Sequence, residues 1–170
     1  MTPEPLPSAA GVEHLTAALR LSGGLGEGCV REVVVESSRP TLLSRIIRLR
    51  LTYDRTGVAP SSLILKTALP DRVAGIFDPG RKEVEFYTQV APMMSTRLAP
   101  RCFEAVWDPN TKAWHLLLED LTDSHIIATR WPLPPTMEQC ERMLHTLASF
   151  HAEWWNDPRV INTGCGCRRD

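Results

Sequence analysis

Between residues 43 and 53 the chain alternates with a period of two. Ile47, Leu49, Leu51 and Tyr53 fall on one side, and Arg48, Arg50 and Thr52 on the other. Successive side chains of an extended strand point to opposite faces, so this pattern commits the segment to a strand with one buried face. Such a strand needs partners, and they lie nearby. Residues 30–36 (VREVVVE) are β-branched and bounded by turn residues, and residues 61–68 (SSLILKTA) form a third apolar run. Ser37 to Pro40 reads as a break after the first strand, and residues 54–60, with Gly57, as the turn after the second. Three strands with short links predict an antiparallel meander.

The remaining elements follow from similar signals. Residues 1–11 are rich in Pro, Ala and Ser and are expected to form a flexible lead. A short amphipathic helix over 13–21 places Leu15, Ala18 and Leu19 on one face and ends at Ser22-Gly23-Gly24. After the third strand, residues 70–80 read as a loop, and a helix runs from about residue 81 to Val90, with Pro92 ending it or starting a further turn. Residues 100–107 and 113–119 are two more strands joined by the turn Asp108-Pro109-Asn110-Thr111. Residues 122–135, with Pro132, Pro134 and Pro135, are expected to be a linker.

The last element is a helix over 136–155, with Thr136 as its cap and Gln139 completing a capping box. Cys140, Met143, Leu144, Leu147, Ala148, His151 and Trp154 fall at i, i+3, i+4, i+7 spacing, which predicts a buried face. The expected division is a lead and helix over 1–25, a lobe over 26–121, a linker over 122–135, a helix over 136–157 and an irregular tail over 158–170. The fold class is α+β: a five-stranded antiparallel sheet with one helix inserted after the third strand, then a linker and a long helix. That is the plan of a kinase-like N-lobe, an analogy of fold that does not itself assign a function.

Composition narrows the field of functions. The formal net charge is -1, and the arginines are scattered among acids, so there is no basic stripe and nucleic acid is not an expected partner. No apolar run approaches the ~20 residues of a spanning helix, so no membrane role is expected. The first residues show no signal-peptide pattern, which makes the cytoplasm the expected location. Five irregularly spaced cysteines suit reduced thiols better than a disulfide framework.

Among 19 basic residues only Lys66, Lys82 and Lys112 are lysines, and Lys66 lies inside the apolar run Leu63-Ile64-Leu65. A lysine there needs either a partner or an exit to water. Kinase chemistry offers a partner, because such an ammonium holds ATP phosphates while a helix carboxylate holds the ammonium. An edge lysine that reaches solvent is the simpler alternative. Glu83 shares a helix face with Phe86, Tyr87 and Val90 and is the expected partner, whereas Glu85 is rotated outward. Glu83 could equally serve its helix dipole.

The strand 115–121 (HLLLEDL) ends in acids and suits an adenine-contacting hinge, or simply a buried strand with a polar end. Gly23 to Gly28 is glycine-rich but precedes the first strand, and the loop 37–44, where a nucleotide loop belongs, has no glycine. Phosphate there would have to meet backbone N–H groups, Arg39 or hydroxyls such as Ser44, and an ordinary polar turn is the alternative. His151 and Trp154-Trp155 read as helix-end packing residues, and Cys165-Gly166-Cys167 is too sparse to define a metal site. No nucleophile elbow, HExxH or Walker loop is present, so no catalytic and no metal-ligating residue is assigned.

The stretches TLLSRIIRLRLTYD, SLILKT, RKEVEFYTQVAP, LLLEDLTDSH and WPLPPTMEQCERMLHTLASFHAEWW, in this order, resemble the aminoglycoside phosphotransferase/ecdysteroid kinase-like superfamily. The resemblance spans about residues 26–158. It implies ATP-dependent phosphoryl transfer to a hydroxyl of a small-molecule acceptor, with Mg²⁺ as the family's metal. It matches Lys66 to the phosphate-binding lysine and Glu83 to its ion-pair partner. It matches the strand with Leu117, Glu119, Asp120 and Leu121 to the adenine hinge, and the loop ending at Ser44 to the nucleotide loop. It places residues 136–155 as the first C-lobe helix.

In such enzymes a His-x-Asp loop follows that helix, with an Asn and a second Asp for the metal. After His151 this sequence has Asn156, Asp157, Asn162 and Asp170 in no such pattern. A truncated chain, inactive alone, is therefore expected. The alternative is a non-catalytic module that binds nucleotide or a partner, with self-association through the helix 136–155 as one form.

Overall fold

A computed structural model of the chain describes residues 6–55, 57–69, 79–125, 134–155 and 157–158. Residues 70–78 of the expected loop over 70–80, most of the linker (126–133), Asn156 and the tail with Asn162, Cys165, Cys167 and Asp170 lie outside these residues, and Pro79 and Gly80 already belong to the following helix.

The described elements are α1 (Val12–Leu21), β1 (Val30–Pro40), β2 (Arg45–Tyr53), β3 (Ser62–Thr67), α2 (Pro79–Glu85), β4 (Cys102–Trp107), β5 (Trp114–Glu119) and α3 (Met137–Trp154). The five strands form one sheet in the order β1-β2-β3-β5-β4, with every neighbouring pair antiparallel. This is the α+β arrangement expected from the sequence, with a helix between the third and fourth strands and a long helix after the sheet.

The alternation that predicted β2 holds: Ile47, Leu49 and Leu51 are buried. They pack with Leu63, Leu65, Leu117 and Phe103 against Leu15, Ala18 and Leu19 of α1. The opposite face carries a smaller layer, in which Val84 of α2 packs on Trp114, Leu116 and Leu118, with Ile64 beside them. The sheet is thus covered by α1 on one side and α2 on the other.

The structure departs from the sequence reading in three places. The lead over 1–11 is ordered where it is described, because Ala9 and Ala10 are buried against α1. Small residues beside an amphipathic helix fill space that would otherwise leave its apolar face wet. β1 does not break at Ser37 but pairs on to Pro40 opposite Arg45, with an irregularity between Val35 and Ser37. β1 is an edge strand, so a proline without an N–H costs it no ladder bond.

The third difference is α3. Its capping box is present, with Thr136 accepting from Gln139 N–H and the Gln139 side chain accepting from Thr136 N–H. Its apolar stripe is nevertheless exposed: Met143, Leu144 and Leu147 are half or more accessible. The helix formed by local capping and periodicity, but those side chains meet no core among the described residues. Its last turn is tied to the body where Glu153 accepts from Ser95 N–H.

Cys29, Cys102 and Cys140 are free thiols. No helix among the described residues is long and apolar enough to cross a membrane.

Candidate functional site

Residues paired directly across an antiparallel ladder place their side chains on the same face. Lys66 pairs with Ile46 on one side and Leu116 on the other, Ile64 pairs with Arg48 and Leu118, and Ser62 pairs with Arg50. All of these share the α2 side of the sheet. Lys66 therefore emerges beside α2, at the margin of the Val84 layer.

Lys66 Nζ donates to Glu83 Oε1 at 2.6 Å. Their side chains are 23% and 38% exposed, which puts the pair at a rim and not in the core. Glu85 turns away and pairs with Arg81 at 2.7 Å and Lys82 at 3.7 Å, as the helical rotation requires. One expectation is corrected here. The buried side chain of this helix is Val84, with Tyr87 packed half-buried on its layer, whereas Glu83 is only partly covered. After Glu85 the backbone widens into a π-type turn over Phe86–Val90, which breaks the simple helical frame on which that face was drawn.

A second charged group occupies the same face further along. Asp120 accepts from Arg48 Nε at 2.6 Å and from Thr122 N–H at 2.9 Å, and its side chain is almost wholly buried. Arg48 also reaches Asp123 at 2.8 Å and Glu36 at 3.3 Å, and Arg50 pairs with Glu36. Burial works against ionisation of Asp120, but hydrogen bonds from Thr122, Arg48 and Ser62 outweigh it and hold the carboxyl far below the usual carboxylate range. The same bonds to Asp120 and Asp123 push Arg48 further up. Sequence reasoning missed Arg48. Its signal was parity, since the registers placing Lys66 opposite Ile46 place Arg48 two residues on and on the same face.

The residues expected at the hinge follow at once. Glu119 N–H donates to Arg101 C=O at 2.8 Å, and its carboxylate accepts from Arg101 N–H at 3.0 Å. Leu121 C=O accepts from Ser124 and His125 N–H at 3.2 and 2.9 Å. Between these two fixed points Asp120 is clamped by its side chain. Lys66 lies opposite Leu116, three residues before Glu119 and five before Leu121. At ~3.4 Å per residue that is about 10–17 Å along the sheet, the separation of one end of a nucleotide from the other.

One expected site side chain, Leu117, points away from this face, and the Ser44 hydroxyl is engaged within its own turn. Leu117 is buried on the α1 side, in the larger core. Period two puts Leu116 and Leu118 with Lys66 and leaves Leu117 opposite. Ser44 is also buried, and its hydroxyl lies 2.9 Å from Thr41 Oγ1 while its carbonyl accepts from Thr41 N–H at 2.7 Å. The β1–β2 connection is thus a tight, self-bonded turn, shorter than the loop drawn from the sequence because β1 runs on to Pro40.

Chemically, the face offers an ammonium with three N–H donors, one of them taken by Glu83. Among the described residues of this face the nucleophile candidates are weak: Ser62 is a plain hydroxyl bonded to Asp120. Burial pushes the Cys102 thiol up to about 11, so it is not a thiolate at neutral pH. The arrangement suits holding an anion and a flat apolar group on one surface.

Residues 41–153, two thirds of the chain, match the model of the ecdysteroid kinase-like family. No curated protein and no solved structure gives a match.

Proposed function

The chain belongs to the ecdysteroid kinase-like family, and from that premise we propose that it carries the nucleotide-gripping half of an ATP-dependent phosphotransferase acting on a hydroxyl of a small molecule. The observation that carries this reading is the Lys66–Glu83 pair at 2.6 Å, joining a central strand to the inserted helix. An ion pair at a solvent-facing rim adds little to stability, so its placement is better explained by what Lys66 can hold. ATP, when bound, supplies the transferable phosphoryl group.

In this reading Glu83 fixes the ammonium, and the remaining N–H donors of Lys66 meet phosphate oxygens. Ile64 and Leu118, at the margin of the Val84 layer, lie on the side of the sheet a base would approach, and Leu116 is already covered by α2. The base would read the main chain between Glu119 N–H and Leu121 C=O, at Asp120 C=O and Leu121 N–H. The Arg48–Asp120 contact holds that stretch in place. A phosphate near the β1–β2 turn would meet backbone there, since the Ser44 hydroxyl is already engaged by Thr41.

Among the described residues, those beside Lys66 do not fit a Mg²⁺ site. Glu83 is the carboxylate at Lys66, and it is already paired with a cation. What is proposed for this chain is therefore nucleotide binding, without a metal-dependent step.

The test is titration with a fluorescent ATP analogue. Lys66→Met should weaken binding by about 10–100-fold, the range of a lost charged hydrogen bond of ~1.5–3 kcal/mol. Glu83→Gln should weaken it less, because the ammonium remains. Equal affinity in the parent and in Lys66→Met would refute the assignment.

A second reading concerns α3. Its exposed stripe of Met143, Leu144 and Leu147 motivates association, with a second copy of the chain as the simplest occupant.

A further inference from the structure

On the α1 side of the sheet, behind the nucleotide face, three side chains from three elements converge. His14 comes from the first turn of α1, Glu104 from β4 and His115 from β5. His14 Nε2 lies 2.6 Å and His115 Nε2 lies 2.7 Å from the same oxygen, Glu104 Oε2. The three ligand atoms all lie within 4.8 Å of one another. We propose that His14, Glu104 and His115 form a binding site for one divalent transition-metal ion, zinc foremost, which staples α1 to the β4–β5 hairpin.

The backbone shows how Glu104 reaches this place. Cys102 pairs with Leu118 on the α2 side, and Ala105 pairs with Leu116 on that side again. Between them the ladder is irregular, with Glu104 opposite Leu117, which belongs to the α1-side core. Phe103 is in the same core. A bulge at Cys102/Glu104 thus sends two consecutive residues to one face and turns Glu104 toward His115. Re-aiming a side chain is what bulges do beside functional sites. Without it, strict alternation from Phe103 would point Glu104 into the α2 layer.

The donor set selects the ion. Two imidazole nitrogens and one carboxylate oxygen suit zinc and its first-row neighbours, and not magnesium or calcium, which take oxygen ligands. Zinc bonds of ~2.0–2.2 Å in a tetrahedron place neighbouring donors about 3.3 Å apart. The rings and carboxylate must each part by some 0.6 Å from their present contacts, which rotation about χ angles supplies. His14 is 37% exposed, so the fourth position opens to water.

Binding needs unprotonated Nε2 atoms. In a neutral ring the proton moves from Nε2 to Nδ1 through solvent, with no net release, and a charged ring releases one proton. Nothing is oxidised or reduced. The ion would join residues 90 apart in sequence, His14 and Glu104, and would hold β5 four residues ahead of the hinge at Glu119.

The test uses the full chain with Cys165→Ser and Cys167→Ser, so that tail thiols do not compete. After chelation and dialysis, zinc alone is titrated and bound zinc is counted. One equivalent is expected, together with a rise in Tm. His14→Gln and His115→Gln keep a donor for Glu104 but lose the ligand nitrogen. Each should weaken zinc by at least about 100-fold, beyond what loss of an outer partner costs, and abolish the rise in Tm. Cobalt gives an independent readout on the parent: visible d–d bands without thiolate charge-transfer absorption. No zinc bound at about 100 µM, thiolate absorption with cobalt, or unchanged zinc affinity in both glutamine variants would overturn the proposal and leave a hydrogen-bonded His–Glu–His cluster only.

Discussion

Asp120 and Lys66 share a face of the sheet and behave as opposites. Lys66 meets a single carboxylate at a rim, whereas the Asp120 carboxylate is buried under Arg48, Thr122 and Ser62. The first arrangement leaves a cation able to take a ligand, and the second fixes a backbone. Asp120→Asn should therefore lower stability by about 1.5–3 kcal/mol at pH 7, the worth of a charged hydrogen bond, with a secondary loss in nucleotide affinity. The pH dependence has a definite sign. The Asp120 carboxyl titrates lower in the folded chain than unfolded, so its stabilisation is complete above the unfolded value of about 4 and is lost as pH falls from about 5 toward the folded value. Denaturant midpoints of parent and Asp120→Asn should differ clearly at pH 7 and by less near pH 3. A gap that stays constant between the two would refute the role given to this carboxylate.

At the scale of elements, the position of α2 decides whether Glu83 reaches Lys66. Its first turn passes so close to β5 that a Cβ on Gly80 would fall inside the Trp114 indole. Gly80→Ala should cost about 1–3 kcal/mol through overpacking and should also weaken nucleotide binding, because α2 must lift from the sheet. Urea melts and an ATP-analogue titration on one variant check both, and full affinity at reduced stability would separate α2 from the grip. α3 is the contrary case, an element well formed but uncovered. If its stripe associates with a second copy, light scattering should show a dimer, and Leu144→Glu with Leu147→Glu should restore a monomer. A monomeric parent at tens of micromolar would remove that reading.

For the molecule as a whole, what could be read from sequence was what local periodicity controls. Period two gave β2 and its buried side, capping chemistry gave the start of α3, and an isolated lysine among apolar residues pointed to Lys66 and its Glu83 partner. Misjudgements arose where pairing between distant strands decides. Pro40 looks like a break until β1 is known to be an edge. Leu117 looks like a hinge residue until β5 is registered against Lys66. Glu104 cannot be placed with His14 and His115 before the bulge in β4 is seen, since nothing local joins residues so far apart. The exposed stripe of α3 has the pattern of a buried face, and the pattern says nothing about what would cover it.

The proposed nucleotide would lie on one face of the sheet, from Lys66 to Leu121. The most direct measurement is an amide chemical-shift map of the labelled chain titrated with ATP. Shifts clustered at Ile64, Lys66, Glu83, Leu118 and Leu121, and absent from the α1 side at Leu15, Leu49 and Leu117, are the predicted result. No saturable shifts, or shifts centred on the α1 side, would contradict it.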